Sequence, residues 1–125
     1  MQIVGKIDLN KFKSVSDKII TDEVIITDKQ VEHIKTRHPG DYERYFSHIP
    51  QILSDPDYIL KAHKLNSAVL LKEFIEDENR FRLILRLKTT DDPHEYKNSI
   101  ITFWKISEDR YENYVKNQKI LYKKG

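Results

Sequence analysis

The sequence predicts an α+β domain, with N-terminal helices packed on a four-stranded antiparallel sheet and a C-terminal helix closing the chain. Three observations carry this reading. Apolar positions recur at helical spacing between residues 28 and 53. From residue 57 to residue 106 they fall instead in β-rich runs. The links between those runs are short or rich in turn residues, which suits antiparallel neighbours. Helices followed by a run of strands is the order of an α+β fold.

The N-terminal stretch VGKIDL alternates weakly and predicts a short strand. IITDEVIIT (19–27) is β-branched and predicts extended chain. Thr27-Asp28-Lys29-Gln30 fits a capping box that opens a helix. Val31 and Ile34 supply its buried stripe, and Pro39 disfavours helical geometry at His38, so the helix ends near Arg37. A second helix starts at Asp41, with Tyr42, Tyr45, Phe46 and Ile49 at helical spacing. Pro50 can open a further turn, IPQIL, and SDPD (54–57) is a turn. Strands follow at 57–64, 67–75, 80–88 and 98–106. The tail 107–118 reads as a helix capped by Ser107, with Tyr111, Tyr114 and Val115 inward.

A chain of 125 residues supports one core, so residues 1–125 are expected to form a single domain. Charged residues make up 34% and hydrophobic ones 38%, which suits a folded domain with a charged surface. The net charge of +2 does not by itself announce a nucleic-acid binder, so the placement of the cations matters more. The absence of cysteine excludes a disulfide framework, a thiolate nucleophile and a cysteine zinc site. No apolar run approaches the ~20 residues of a membrane span, and no signal-peptide core is visible. A cytoplasmic protein is expected, and one delivered into a host or target cell would look the same.

HIKTRHP (33–39) concentrates two histidines, a lysine and an arginine at one helix end. Three readings compete: a metal site, a solvated helix terminus, and an acid/base site for a phosphate-bearing substrate. His33 and His38 are five residues apart and point ~140° apart on a helix, which argues against joint metal ligation. His33 and Arg37 share a helix face one turn apart. An imidazole can exchange a proton near neutral pH, and a guanidinium can hold a phosphate in two-pronged fashion. From spacing alone, cations at a helix C-terminus are explained rather better by the helix dipole.

RFRLILRLK (80–88) places Phe81, Leu83, Leu85 and Leu87 on one face and Arg80, Arg82, Arg86 and Lys88 on the other. Four cations in one row are either a solvated face neutralised by carboxylates such as Glu73 or a groove for a polyanion. Lys72 and Glu73 point to opposite faces, so at most one joins that row; Lys72 is a candidate phosphate contact or an exposed strand lysine. In the last strand, Ile100, Thr102 and Trp104 are expected on one face and Ser99, Ile101, Phe103 and Lys105 on the other. Trp104 is either core or a stacking surface for a base. His48 and His94 read as surface, and His63, at a strand end, as a minor candidate.

HIKTRHPGDYERY, SDPDYIL and RFRLILRLKTTDDPHEYKNSIITFWK together resemble the phage-associated Barnase–EndoU–colicin–RelE nuclease-fold domains, over residues 19–122. The resemblance implies a metal-independent endoribonuclease without a cofactor, in a toxin or host-takeover role. It implies RNA as partner, tRNA included, and a cognate immunity or inhibitor protein. His33, Arg37 and His38 match the helix motif, and Arg86 and Thr102 lie where such folds carry active-site side chains. From the strand patterning, Arg82, Lys88, Lys72 and Trp104 are the candidate substrate contacts beside them. Members are often joined behind phage head-morphogenesis proteins, and the residues are compatible with a free-standing protein or a piece of a larger one. The expected chemistry is attack of the ribose 2′-OH on the adjacent phosphorus, leaving a 2′,3′-cyclic phosphate, with His33 as the first-choice proton-transfer group, His38 as the second, and Arg37, Arg86 and Lys72 stabilising the phosphorane. The alternative is a non-catalytic RNA-binding or phage-associated interaction module. The enzyme reading requires the histidine-bearing helix end and the cationic sheet face to share one pocket.

Overall fold

The alternation between residues 57 and 106 does build four antiparallel strands, and the termini then add three more. The computed structural model describes residues 2–125. In chain order the elements are β1 (Gln2–Lys6), β2 (Glu23–Ile26), α1 (Asp28–Arg37), α2 (Asp41–Tyr45), α3 (Ile49–Ser54), β3 (Tyr58–Lys61), β4 (Ser67–Phe74), β5 (Asn79–Arg86), β6 (Asn98–Ile106), α4 (Glu108–Asn117) and β7 (Ile120–Lys123).

The α+β class holds, but the sheet is larger than expected. It is a mixed seven-stranded sheet in the order β1-β2-β6-β5-β4-β3-β7. The expected four strands form its centre. A bare four-stranded meander would leave the outer edges of β6 and β3 with unpaired backbone groups. β7 pairs with β3 antiparallel, while β2 pairs with β6 in parallel and carries β1 on its far side. The run ILYK in the tail was too short to stand out as a strand, and its pairing is decided by the edge it covers.

The helices also differ from the expected arrangement. Thr27 accepts a hydrogen bond from the Gln30 N–H at 3.2 Å and starts α1 as its capping chemistry requires. Pro39 ends it, and Gly40, at φ 86°, makes the left-handed step into α2. The second helix, expected to carry Tyr42, Tyr45, Phe46 and Ile49, stops at Tyr45 and gives way to a 3-10 turn over residues 46–48, while the further turn expected at Pro50 forms as α3. α1, α2 and α3 pack on one face, where Ile34, Ile49, Ile52 and Leu53 meet Leu70, Phe81, Leu83 and Phe103. β1 closes against α3 at Gly5, where a Cβ would stand 3.3 Å from the Pro50 Cα.

The opposite face is not simply open. Leu60, Val69, Leu71 and Ile106 form a second apolar cluster there, covered by Tyr111, Tyr114 and Val115 of α4. α4 shields one half of that face and leaves the other half as a groove.

A buried charge network fixes α4 and the C-terminus. Lys72 is 5% exposed and stands on the α1–α3 side of the sheet, away from the arginine row. Its Nζ donates to Asp55 at 3.2 Å and to Asp57 at 3.5 Å. Asp57 also accepts from the Glu73 N–H at 2.7 Å and from the Tyr111 hydroxyl at 3.0 Å, while Lys124 donates to Asp55 at 2.7 Å. Lys72 is therefore an internal tie rather than a surface cation. Removing Asp57 leaves the Tyr111 hydroxyl and the Glu73 N–H without their acceptor, while Lys72 keeps its contact with Asp55. Asp57→Ala should cost about 2 kcal/mol, and the melting temperature should fall by about 6 °C, as calorimetry can check. Lys124, then Lys72, holds the Asp55 carboxyl below its usual range, and Asp92 is depressed by the Thr89 backbone N–H and by Arg86. Depressed carboxylates stabilise the fold above the ordinary carboxylate pKa, and this stability is lost as pH falls through their lower folded values. The melting temperature should therefore drop steeply below about pH 4.

Candidate nucleic-acid interface and active site

The cationic row on β5 is neutralised unevenly. Arg80 pairs with Glu73 at 2.6 Å and with Glu108 at 3.8 Å. Arg86 pairs with Asp92 at 2.7 Å and also donates to the Leu87 carbonyl. Lys88, 4% exposed, turns into the loop after β5 and donates to the Pro93 and His94 carbonyls, at 2.6 and 2.9 Å. Its backbone N–H is held by Asn98. Lys88 therefore anchors a loop, and it does not continue the row. Arg82 alone in the row has no ion pair among the described residues.

Arg82 is held by rings instead. Its guanidinium lies 4.6 Å from the Trp104 ring centre and 5.4 Å from that of Tyr114. Each such contact contributes roughly 0.5–2 kcal/mol. Burial works against its charge, yet a guanidinium stays protonated. Trp104 sits directly opposite Arg82 across the β5–β6 ladder, and Thr102 sits opposite Ile84.

A β-bulge sets this arrangement. The β5–β6 register shifts between Ile84 and Leu85, so Ile101 has no partner on β5. The extra residue resets the period of two. Ile100 consequently joins Phe103 in the helix-side core, against the expectation that it would share a face with Thr102 and Trp104. Thr102 and Trp104 remain together on the Arg82 side. Thr102 Oγ1, Trp104 Nε1 and Arg82 Nε are all buried without a hydrogen-bond partner among the described residues. Three orphaned donors on two neighbouring strands form a set that an anionic group could satisfy.

His38 reaches the same place from the end of α1. Its ring packs on Trp104 with centres 4.2 Å apart. Partial burial pushes it below the usual imidazole pKa. Arg37, Arg110 and Arg82 push the same way, and Asp41 opposes them. His38 is thus neutral at neutral pH and able to accept a proton.

Beside Arg82 the uncovered half of the face forms a groove of about 630 Å³. Val69 and Ile84 give it an apolar floor, and Ile101 and Tyr114 stand in its walls. Arg82, Arg86, Lys61, Lys64 and His63 also line it.

A family model described as phage-Barnase-EndoU-ColicinE5/D-RelE like nuclease 2 matches residues 1–123. The chain belongs to that family. It is a phage-associated nuclease family, and the match covers the strands and helices that build the groove. Searches of the curated proteins and of the solved structures return no significant match.

In this nuclease-family chain, His38 packs on Trp104, which lies against Arg82 and two residues from Thr102 on the same strand; of these four only Arg82 lines the groove, with Arg86 further along it. His33 and Arg37 are exposed on α1 and do not line the groove. Lys72 and Lys88 are engaged elsewhere, as described above. Lys61, Lys64, Ser67 and Tyr114 line the groove without having stood out in the sequence. Their one signal is register: Ser67 pairs with Arg86, which brings the KAHK turn alongside that cation. Among the described residues no three His, Cys, Asp or Glu side chains gather as a metal-holding group. Among the described residues no helix is long and apolar enough to cross a membrane.

Proposed function

We propose that the chain is an endoribonuclease that cleaves by internal transesterification. The observation that carries this reading is Arg82, a half-buried guanidinium with no carboxylate partner among the described residues, whose buried Nε lacks a hydrogen-bond partner beside two further orphaned donors. A partly desolvated cation without a carboxylate costs the fold something. A phosphodiester seated there would complete it.

His38 takes the proton from the ribose 2′-OH. The 2′-oxygen bonds to the adjacent phosphorus, and the bond from phosphorus to the 5′-oxygen breaks. The departing oxygen takes a proton from solvent in the open groove. Arg82, Thr102 Oγ1 and Trp104 Nε1 stabilise the negative charge that builds on the phosphorane oxygens. RNA carries its own nucleophile, so the site needs to supply only a base and an anion cradle.

Two observations favour His38 over His63. His63 lies in the turn between β3 and β4, and Ser67 at the far side of that turn pairs with Arg86. That pair is four residues from Arg82 along β5, or ~13 Å. One phosphorus cannot contact both ends. Arg86 is already neutralised by Asp92, so the Arg82 end holds the scissile phosphate and His38 is the base.

The test is incubation with mixed RNA and DNA in excess EDTA. RNA should be cut to fragments ending in 2′,3′-cyclic phosphate, with 5′-hydroxyl partners and intact DNA. Cleavage that disappears on chelation, or DNA cut equally well, would overturn the scheme. Tight RNA binding without any cutting would support a non-catalytic RNA-binding module instead.

A further inference from the structure

The groove does not end at its own walls. Toward the C-terminal half of α4 it shares Tyr114 and Gln118 with a second cavity of about 260 Å³, which Arg110 and Asn113 also line. Past the β3–β4 turn it shares Lys61, His63, Lys64 and Ser67 with a third, of about 400 Å³, where Lys119 and Leu65 stand. The three form one path across the sheet face.

No aspartate or glutamate lines any of the three cavities. The chain holds 20 acidic residues against 22 basic ones, so a path free of carboxylates is not a consequence of overall charge. A cavity on another part of the surface has Glu73, Glu76 and Asp77 in its lining. Lys61, Lys64, Arg82, Arg110 and Lys119 make no ion pair among the described residues. Each is available to a phosphate. Apolar surface interleaves with them: Val69 and Ile84 in the floor, the Tyr114 ring, and Leu65, which is 84% exposed at the turn.

We infer that this path is a track for single-stranded RNA, extending on both sides of the scissile phosphate. It deepens the ribonuclease reading and rests on it for the position of the cut. Cations alternating with rings and apolar recesses suit a backbone whose bases are unstacked and accessible. In a duplex the bases are stacked inward and out of reach of such recesses. The track is long enough for on the order of four nucleotides, the small end of single-strand site sizes.

Lys119 stands apart from the proposed chemical centre and supplies the test. In the active protein, Lys119→Gln should lower kcat/KM on an unstructured ten-nucleotide RNA about fivefold at low salt, through KM. Cleavage of a dinucleoside phosphate should be unchanged. Fluorescence anisotropy on His38→Ala protein measures binding without turnover. There, Lys119→Gln and Arg110→Gln should each flatten the dependence of log affinity on log salt by about 0.7. The unpaired ten-mer should bind at least tenfold tighter than a blunt RNA hairpin. Equal loss on the dinucleoside phosphate and the ten-mer, unchanged salt slopes, or a hairpin bound as tightly as the ten-mer would each overturn the track. If the unaltered protein cuts no RNA while the slopes fall as expected, the track stands and the catalytic reading fails.

Discussion

If the chain cleaves RNA as proposed, His38→Ala should lower cleavage by about 10²–10⁴-fold, the contribution of one well-placed proton-transfer group. His33→Ala, on the exposed side of the same helix, leaves the rate within about twofold, in keeping with the small effects of surface substitutions. The two histidines are five residues apart in the sequence, yet only His38 packs on Trp104. The pH profile supplies a second readout. The base must be neutral to act, and burial with Arg37, Arg110 and Arg82 holds its pKa below the ordinary 6.5. Cleavage should therefore rise with pH through a midpoint below 6.5 and be level through neutrality. An ascending limb centred above pH 7, or full activity in His38→Ala, would remove this residue from the chemistry.

Arg82→Met should separate activity from stability. Cleavage falls by about 10²–10³-fold, as expected for loss of a donor aimed at developing negative charge. The melting temperature stays level or rises. Substitution forfeits the ring contacts with Trp104 and Tyr114, and it also removes a half-buried charge that no carboxylate among the described residues offsets. Methionine keeps much of the side chain's apolar stem against the sheet. Arg82→Lys does not restore activity, because an ammonium cannot reproduce the planar fork between two rings. Arg86→Met provides the contrast, since it strands the buried Asp92 carboxylate and lowers stability. A melting temperature that falls by more than about 5 °C in Arg82→Met would show the guanidinium to be a structural tie.

Much of this was legible in the residues. The capping threonine, Pro39 and the Ser107 cap place both ten-residue helices, because each acts within one turn of chain. The alternation of RFRLILRLK assigns its core and cation faces correctly through Arg86. Beyond that point local pattern misleads. Lys88 continues the alternation on paper, but the strand has ended and its side chain closes the next loop. Ile100 follows the period of its own strand until the unpaired Ile101 resets it. The histidine-rich helix end announces chemistry, but nothing in HIKTRHP says which imidazole turns toward the sheet.

Spacing, caps and alternation act between near neighbours, so the chain's own order of residues was enough for the α+β class, the four central strands and a cation-bearing face. Which cations stay unpaired depends on partners that folding brings up from other segments: Glu73 and Glu108 for Arg80, Asp92 for Arg86, and none among the described residues for Arg82. The meeting of His38, Trp104 and Arg82 likewise needs a helix end, a bulged strand and its neighbour to arrive together. Such coincidences arise from long-range packing, and they exist only once the sheet has closed.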